Sequence, residues 1–257
     1  MIIFPIFFFI LGTIIGSFVN VLVLRYGTGL SPFAGRSQCF SCGKTLSAFE
    51  LIPVISFLAM GGRCSSCKSR ISVQYPLVEA GTGVLFLLLF LAFGFSAVLP
   101  LYLFASVFLV AIFVYDLRHM IIPDSFAFLL AVISLALVFF RGATAIDLLS
   151  GPILFAFFGS FWLFSRGRWM GFGDAKLALG IGWLLPFSAA VFATLASFWI
   201  GALWSILVMG IGMVCGKRTL TLRTAVPFAP FLIIAAVLTL VLHLDFSQLM
   251  SWIAHLS

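Results

Sequence analysis

The sequence predicts an all-α polytopic membrane protein with about eight transmembrane helices and one small polar insert between the first two. Three observations carry this prediction. Hydrophobic residues make up 63% of the 257 residues and charged residues only 8%, whereas soluble domains carry about 25% charged residues. Uncharged apolar stretches of roughly 20 residues, the length that spans a bilayer, recur along the chain. Nearly all the basic residues fall in alternate gaps between those stretches.

The apolar stretches run over 2–24, 80–98, 99–115, 125–140, 148–165, 177–215 and 226–244. The first has no basic leading region and no small-residue cleavage site, so we expect a retained span rather than a cleaved signal peptide. The stretch 177–215 would be about 58 Å long as one helix, nearly twice the hydrocarbon thickness. It therefore predicts two helices that turn near Pro186, which makes eight spans.

The basic residues predict the orientation, because cytoplasmic loops are enriched in Lys and Arg. With eight crossings, every basic residue except Arg141 falls on one side of the membrane. These residues are Arg25, Arg36, Lys44, Arg63, Lys68, Arg70, Arg118, Arg166, Arg168, Lys176, Lys217, Arg218 and Arg223. We expect their loops in the cytoplasm and both termini on the other side. The net charge of +7 is explained by this topology and by anionic membrane lipid, and nothing predicts nucleic-acid binding.

The polar insert contains two C-x-x-C pairs, Cys39–Cys42 and Cys64–Cys67. Each such turn directs two thiolates at one point, and two turns complete a tetrahedron around Zn²⁺, with Gly43 and Gly62 easing the tight backbone. A cytoplasmic location argues against disulfides. The spacing predicts a structural zinc module, with a redox-active dithiol as the alternative. Cys215, alone at the end of an apolar stretch, is expected to be a small buried hydrophobe.

Only seven acidic residues occur, so each one is informative. Asp116 ends an apolar stretch, where an ionised carboxylate is costly unless it faces water or a partner. Asp174 lies in GFGDAKL, where flanking glycines let the backbone turn before a helix resumes, which places the carboxylate near a helix N-terminus. Each residue alone is explained by an interfacial charge or a helix cap. The predicted topology, however, places both on the cytoplasmic face at similar depth.

Two carboxylates within hydrogen-bonding range cannot easily ionise together, so one stays protonated. The ionised member activates water and the protonated member polarises a peptide carbonyl, which is the chemistry of an aspartic protease. We therefore predict Asp116 and Asp174 as a catalytic pair. Asp124 follows Pro123 and precedes an apolar helix, which indicates an N-cap or a supporting role in the site.

Three other acidic residues have structural interpretations. Asp147 and Asp245 lie at the predicted outer face, where solvated helix ends explain them without chemistry. Glu50 lies in the polar insert and is expected to be solvated.

Six segments of the chain occur in a recognisable order. They are GSFVNVLVLR at 16–25, the paired C-x-x-C module at 39–67, ISVQYPLVE at 71–79, YDLRHMIIPD at 115–124, GFGDAKL at 171–177 and VPFAPF at 226–231. On these segments the chain resembles the bacterial type IV prepilin peptidases, a family of GxGD-type aspartic proteases. The resemblance implies an enzyme of the bacterial inner membrane that cleaves the basic leader of type IV prepilins or pseudopilins at the cytoplasmic face, after a glycine. It also implies N-methylation of the new N-terminal residue with S-adenosylmethionine.

The resemblance implies that the catalytic pair is Asp116 and Asp174. Supporting roles are expected for three further side chains: Asp124, Glu79 and Lys176. Glu79 opens the second span, where its carboxylate would hold the positively charged amine of the newly cleaved substrate; the alternative is a structural pair with Arg70 or Lys68.

The chain departs from the family pattern at two positions. Arg118 stands where a second Asp is common, and Tyr26 follows Arg25 where a proline is common. The second departure lies in the N-terminal region that the family associates with methylation. We expect residues 1–79 to form this methyltransferase-associated region, with the first span and the zinc module, and residues 80–257 to form the peptidase membrane domain.

Two other functional classes fit part of the sequence. A transporter or proton-relay protein would also carry membrane carboxylates, although nearer the middle of its spans. A non-catalytic, zinc-stapled scaffold for a pilus or secretion apparatus would depend on Cys39 and Cys64 and would tolerate replacement of both aspartates.

Overall fold

The computed structural model describes residues 3–142, 144–214 and 227–246. Within these ranges the protein is helical, with nine α-helices. They are α1 (Ile3–Arg25), α2 (Ile55–Ala59), α3 (Gln74–Phe93), α4 (Leu99–His119), α5 (Asp124–Phe140), α6 (Ala145–Ser165), α7 (Phe172–Leu184), α8 (Phe187–Val214) and α9 (Ala229–Leu242). A 3-10 turn at Phe49–Leu51 and two isolated β-bridges complete the regular structure of the described chain. The all-helical prediction is confirmed.

Five of the described helices are long and apolar enough to cross a membrane: α1, α3, α4, α6 and α8. Helices α5 and α9 are apolar but shorter, with 17 and 14 residues. This set of helices is that of a multi-pass membrane protein. The predicted break in the stretch 177–215 is confirmed, because α7 ends at Leu184 and α8 begins at Phe187, on either side of Pro186.

Some predictions concern residues outside the described ranges. These are Cys215, the basic residues Lys217, Arg218 and Arg223, and Val226 of the last family-like segment.

The chain divides into two compact units, Met1–Val114 and Tyr115–Ser257. The boundary falls near the C-terminal end of α4. This division follows contacts within the chain, whereas the predicted division between residues 79 and 80 concerns function and stays a prediction.

In the first unit, α1 and α3 pack closely because small residues line their contact. A Cβ added at Gly12 or Gly16 would lie 2.7–2.8 Å from backbone atoms of α3, including the Cα of Glu79. Asn20 on α1 donates its amide hydrogen to the carbonyl oxygen of Tyr75 at 3.2 Å. Small residues and interhelical amide hydrogen bonds are typical of helices that pack in bilayers.

Helix α7 is the buried centre of the second unit. Its fully buried side chains are Ala175, Leu177, Ala178, Ile181 and Leu184. It contacts α6 at Gly182, where an added Cβ would lie 2.7 Å from the Cα of Gly151. After Lys176 the helix carries no charged side chain, as expected for a helix that is buried on all sides. The packing of α7 therefore fixes Asp174, which lies in its first turn.

The other end of α7 is held by polar contacts. The guanidinium of Arg141 donates to the carbonyl oxygens of Leu184 and Trp183 at 2.9 and 2.8 Å. Asp147 accepts a hydrogen bond from the backbone N–H of Phe187, at the start of α8, at 2.8 Å. The prediction that Asp147 has a structural role at a helix end is confirmed.

Candidate active site

Asp116 lies in the last turn of α4 and is buried, with 5% of its surface exposed. The helix ends three residues later, where Met120 adopts a positive φ of 53° and its backbone N–H donates to the carbonyl oxygen of Asp116 at 2.8 Å. This turn directs the chain towards α5. Within the described chain, the Oδ2 atom of Asp116 is buried and has no hydrogen-bond partner. Asp116 therefore brings to this part of the fold a carboxylate oxygen that has no protein partner in the described chain.

Asp174 lies in the first turn of α7, with Gly171 as the N-cap residue. Its side chain is buried, and its backbone N–H donates to the carbonyl oxygen of Gly171 at 3.2 Å. Gly173 permits a close approach to the segment after α4, because a Cβ there would lie 3.0 Å from the Cβ of Ile122. The second glycine of the GxGD segment thus brings Asp174 towards the segment that follows Asp116.

One open cavity of about 480 Å³ has both carboxylates in its wall. The charge of Asp116 is close enough to act on the carboxyl group of Asp174. Its volume lies in the range of small-molecule and peptide sites, about 300–1,000 Å³. All the residues that line it belong to the second unit. The structure therefore brings together the two aspartates that the sequence singled out from different helices.

Asp124 and Lys176 form an ion pair at this cavity, with 2.6 Å between Oδ1 and Nζ. Lys176 also lies over the ring of Phe172, with its Nζ atom 5.1 Å from the ring centroid. The predicted N-cap role of Asp124 is wrong, because Pro123 is the N-cap residue and Asp124 is the first residue of α5. Its carboxylate contacts α7 instead of its own helix end and links the two helices.

Glu79 belongs to the first unit, whereas the two aspartates belong to the second. It is buried, and its Oε2 atom accepts the backbone N–H of Val54 at 2.8 Å. The alternative of a structural pair with Arg70 or Lys68 is wrong for the described chain, which contains no ion pair of Glu79. The carboxylate instead holds a backbone turn, since Val54 has a positive φ of 62°.

The four cysteines of the polar insert form one cluster, with all four sulfur atoms within 4.8 Å of one another. The Sγ atoms of Cys39 and Cys67 lie 3.8 Å apart. This separation is too long for a disulfide, about 2.05 Å, and matches the edge of a tetrahedron with Zn–S bonds of about 2.3 Å, which is about 3.8 Å. The two turns repeat one geometry, since the N–H groups of Cys39 and Cys64 donate to the carbonyl oxygens of Lys44 and Ser69, both at 2.9 Å. The cluster fits a tetrahedral metal ion.

The backbone of the first turn favours a thiolate. Backbone N–H groups of Cys42 and Ser41 point at the sulfur of Cys39 and lower the pKa of this thiol to about 6. Gly43 and Lys68 follow the second cysteine of each turn, and both have positive φ angles, 71° and 58°. Because thiolates rather than thiols bind metals, these N–H groups favour the metal-binding form of Cys39.

Glu50 is not solvated as predicted, because only 11% of its side chain is exposed. Its Oε1 atom accepts hydrogen bonds from Lys44 Nζ, at 2.8 Å, and from the Ser65 hydroxyl. Its Oε2 atom accepts the backbone N–H of Ser47 at 2.8 Å. These contacts, with the Lys44 ammonium the largest, lower the pKa of Glu50 to about 2. Lys44 follows the first C-x-x-C pair and Ser65 lies within the second, so Glu50 links the two turns.

The cavity wall also includes residues that the sequence did not single out. Trp169 and Met170 precede the GxGD segment, Met120 and Ile121 follow α4, and Phe228 precedes α9. Trp169 is 75% exposed. All five lie in or near family-like segments, but an apolar residue in a mostly apolar chain gives no signal that distinguishes a cavity wall from a lipid-facing surface.

Comparison with known proteins places both parts of the chain in one family. Residues 10–93 match the family described as "Bacterial Peptidase A24 N-terminal domain", and residues 103–206 match the "Type IV leader peptidase family". The first match contains the four cysteines and Glu79, and the second contains Asp116 and Asp174. No solved structure matches the chain.

Several relatives share the name "Prepilin leader peptidase/N-methyltransferase". The Bacillus subtilis protein is 35% identical over 233 residues, with 90% of this chain and 91% of the relative covered. The Pseudomonas aeruginosa protein is 30% identical over 257 residues, covering 88% and 86%. The Myxococcus xanthus protein is 35% identical over 224 residues, covering 84% of this chain and 66% of the relative's own length. The chain therefore belongs to the type IV prepilin leader peptidase/N-methyltransferase family.

Proposed function

We propose that this chain is an aspartic endopeptidase of the bacterial inner membrane that removes the basic leader of type IV prepilins or pseudopilins. The observation that carries the proposal is the single cavity with Asp116 and Asp174 in its wall. The two residues come from different helices and are buried, in a chain whose relatives are named as prepilin leader peptidases.

The proposed reaction uses the two carboxylates in opposite protonation states. The ionised carboxylate accepts a proton from a water molecule, which attacks the carbonyl carbon of the scissile peptide bond. The protonated carboxyl group donates to the carbonyl oxygen, and a proton then passes to the departing amine. The Oδ2 atom of Asp116 supports this role, because it is a buried acceptor without a hydrogen-bond partner in the described chain, on a residue that lines the cavity.

The apolar part of the cavity wall supports an extended peptide with an apolar residue after the cleaved bond. Met120, Ile121 and Trp169 are 58%, 61% and 75% exposed and can contact such a residue. Asp124 and Lys176 take the supporting role of fixing the start of α5 against α7.

The proposed topology has eight membrane crossings, α1 and α3 to α9, with the active site at the cytoplasmic face and both termini outside the cytoplasm. The apolar helices and the distribution of basic residues support it. The proposed metal in the polar insert is a structural Zn²⁺ ion held by the four cysteines, whose sulfur separations support tetrahedral binding. With four protein ligands, such an ion stabilises the fold and leaves no position for substrate.

The second proposed activity is N-methylation of the new N-terminal residue, with S-adenosylmethionine as methyl donor. The name shared by the relatives supports it. The open cavity of about 410 Å³ beside Arg25 and Tyr26 does not fit this donor. No described carboxylate lines it to face the sulfonium, and the Arg25 guanidinium already donates to backbone carbonyl oxygens. The proposed role of Glu79 is to hold the substrate amine.

The proteolytic proposal is tested by replacing each aspartate with asparagine in the full-length protein reconstituted in lipid vesicles. Asp116→Asn and Asp174→Asn should each abolish leader removal from a co-reconstituted prepilin, because asparagine cannot accept or donate the catalytic proton. Asp124→Asn is the matched control at the same cavity and should retain most of the cleavage. Mass spectrometry of the prepilin N-terminus reports cleavage and methylation together.

Melting temperatures close to that of the unchanged protein will show that the variants are folded. Cleavage that persists in both Asp116→Asn and Asp174→Asn would refute the proposed catalytic pair. Glu79→Gln should leave cleavage intact and reduce methylation, and full methylation by this variant would refute its proposed role.

A further inference from the structure

An uncharged apolar segment lies inside the insert of the first unit, which also exposes Phe33, Phe40 and Phe49 elsewhere. Residues 51–62 carry no charge, between Glu50 and Arg63, and include helix α2. Four of their large apolar side chains are exposed: Leu51 (41%), Ile52 (38%), Ile55 (64%) and Leu58 (70%). A cluster of exposed apolar side chains in a polar segment marks a surface that contacts a partner or a membrane.

Helix α2 has an inward and an outward side. Phe57 packs against Gly62, where an added Cβ would lie 3.0 Å from the phenylalanine ring. Ile55 and Leu58 are three residues apart and share a face of the helix. Both are exposed, so the insert does not use this face for its own packing.

The contact between Val54 and Glu79 fixes the depth of α2. Val54 directly precedes α2, and its backbone N–H donates to Glu79 Oε2 at 2.8 Å. Glu79 is five residues from Gln74, the start of the candidate span α3, and therefore about 7.5 Å along that helix. The apolar face of an interfacial helix lies about 5–10 Å into the boundary between headgroups and acyl chains. The contact thus holds the start of α2 beside the first turns of α3, about 7.5 Å from the start of that helix.

The charges beside α2 favour a negatively charged surface. Arg63, Lys68 and Arg70 follow the segment and are exposed. Glu50 is the only acidic residue between residues 26 and 73, and Lys44 neutralises it. Basic side chains next to an apolar face complement a leaflet that contains anionic lipid.

We propose that residues 51–62 anchor the insert to the membrane surface. Helix α2 lies in the plane of the leaflet, with Ile55 and Leu58 among the acyl chains and the neighbouring basic side chains at anionic headgroups. The tetracysteine cluster is then held at a fixed height above α3 by lipid on one side and by the Val54–Glu79 contact on the other. Residues 51–62 belong to the first unit, and the proposed membrane contact does not depend on the peptidase chemistry.

The test measures depth directly in the full-length protein. Leu58 is replaced by p-acetylphenylalanine, which couples to a ketone-specific nitroxide without touching the cysteines. The protein is reconstituted in phosphatidylcholine vesicles with or without phosphatidylglycerol. Relaxation of the nitroxide by oxygen, which concentrates in acyl chains, is compared with relaxation by a water-soluble nickel complex. The matched control carries the same label at Ser66, an exposed residue in the second C-x-x-C turn.

We expect the label at Leu58 to be several-fold less accessible to nickel and more accessible to oxygen than the label at Ser66. Phosphatidylglycerol should enlarge the difference, and a second label at Ile55 should give the same result. Equal nickel accessibility at the apolar and control positions would overturn the proposal. A label at Leu58 that leaves water only when a prepilin is added would also overturn it, by identifying a substrate surface. No effect of phosphatidylglycerol would overturn the headgroup contact.

Discussion

Replacing Gly173 with alanine tests how closely α7 must approach the segment after α4. The added Cβ would lie 3.0 Å from the Cβ of Ile122 and 3.4 Å from its Cγ1 and Cδ1. Carbon atoms in contact prefer about 3.5–4.0 Å, so one of the two segments must move by about 0.5–1 Å. Ile122 is β-branched and 7% exposed, so its side chain has little freedom to rotate away.

This movement would act directly on the proposed catalytic pair. Gly173 precedes Asp174, and Ile122 follows Asp116 by six residues. Catalytic groups need positions accurate to about 0.5 Å, and a displacement of about 1 Å can cost 100-fold in rate. We expect Gly173→Ala to lower the rate of leader cleavage by about 10- to 100-fold. The overpacking should lower the free energy of unfolding by about 1–3 kcal/mol, partly offset by about 1 kcal/mol from the helix propensity of alanine.

The assay is single-turnover cleavage of a prepilin in lipid vesicles with enzyme in excess, which separates the chemical step from product release. Gly159→Ala in α6 is the matched control, because a Cβ there meets nothing within 4 Å in the described chain. Both variants gain the same methyl group in a helix. Cleavage by Gly173→Ala at the rate of Gly159→Ala would refute the argument that this close approach positions the carboxylates.

Three further substitutions test contacts away from the catalytic pair. Glu50→Gln removes the charge that links the two C-x-x-C turns, so bound zinc should be lost to a chelator faster than from the unchanged protein. A zinc-sensitive dye measures this rate, and an unchanged rate would contradict the role of Glu50 as a link. Gly182→Ala would place a Cβ 2.7 Å from the Cα of Gly151, where only backbone can move, and should lower the free energy of unfolding by about 1–3 kcal/mol. Arg141→Gln removes the charged donors at the end of α7 and should cost about 1.5–3 kcal/mol. Melting temperatures in detergent measure the destabilisation by Gly182→Ala and Arg141→Gln. A melting temperature equal to that of the unchanged protein would contradict the prediction for that variant.

The sequence predicts the helices well because their signals are local. Pro186 lacks a backbone N–H and constrains the residue before it, so a break in an apolar stretch of twice the bilayer thickness is predictable from composition and length. The signal for the tetracysteine cluster is equally local, since the four residues of each C-x-x-C turn determine most of the geometry of that turn. Asp116 and Asp174 could be paired because a membrane has only two faces, which reduces the possible positions of each polar residue.

Contacts between distant residues were not predictable in the same way. Glu50 was expected in solvent because nothing in the sequence indicates that Lys44 and Ser65 meet at its carboxylate. The alternative that Glu79 pairs with Arg70 or Lys68 fails for a related reason. Its partner is a backbone N–H, a group that every residue except proline carries and that no sequence pattern distinguishes.

The ion pair of Asp124 and Lys176 joins residues 52 positions apart and depends on how α5 packs against α7. A proline followed by Asp before an apolar helix is an ordinary capping pattern, so the sequence favoured the local role. The structure favours the distant cation because Pro123, and not Asp124, occupies the cap position.

The length of α7 has a consequence for the supply of water. With 13 residues the helix is about 20 Å long, about 10 Å shorter than the hydrocarbon layer. Such a mismatch is accommodated by a locally thinner bilayer or by polar groups that extend inward from the helix ends. In the proposed topology, the short central helix lets the aqueous phase reach the depth of Asp174. In that topology, water for hydrolysis would come through an indentation of the membrane surface, and the apolar segment of the substrate would stay in the lipid.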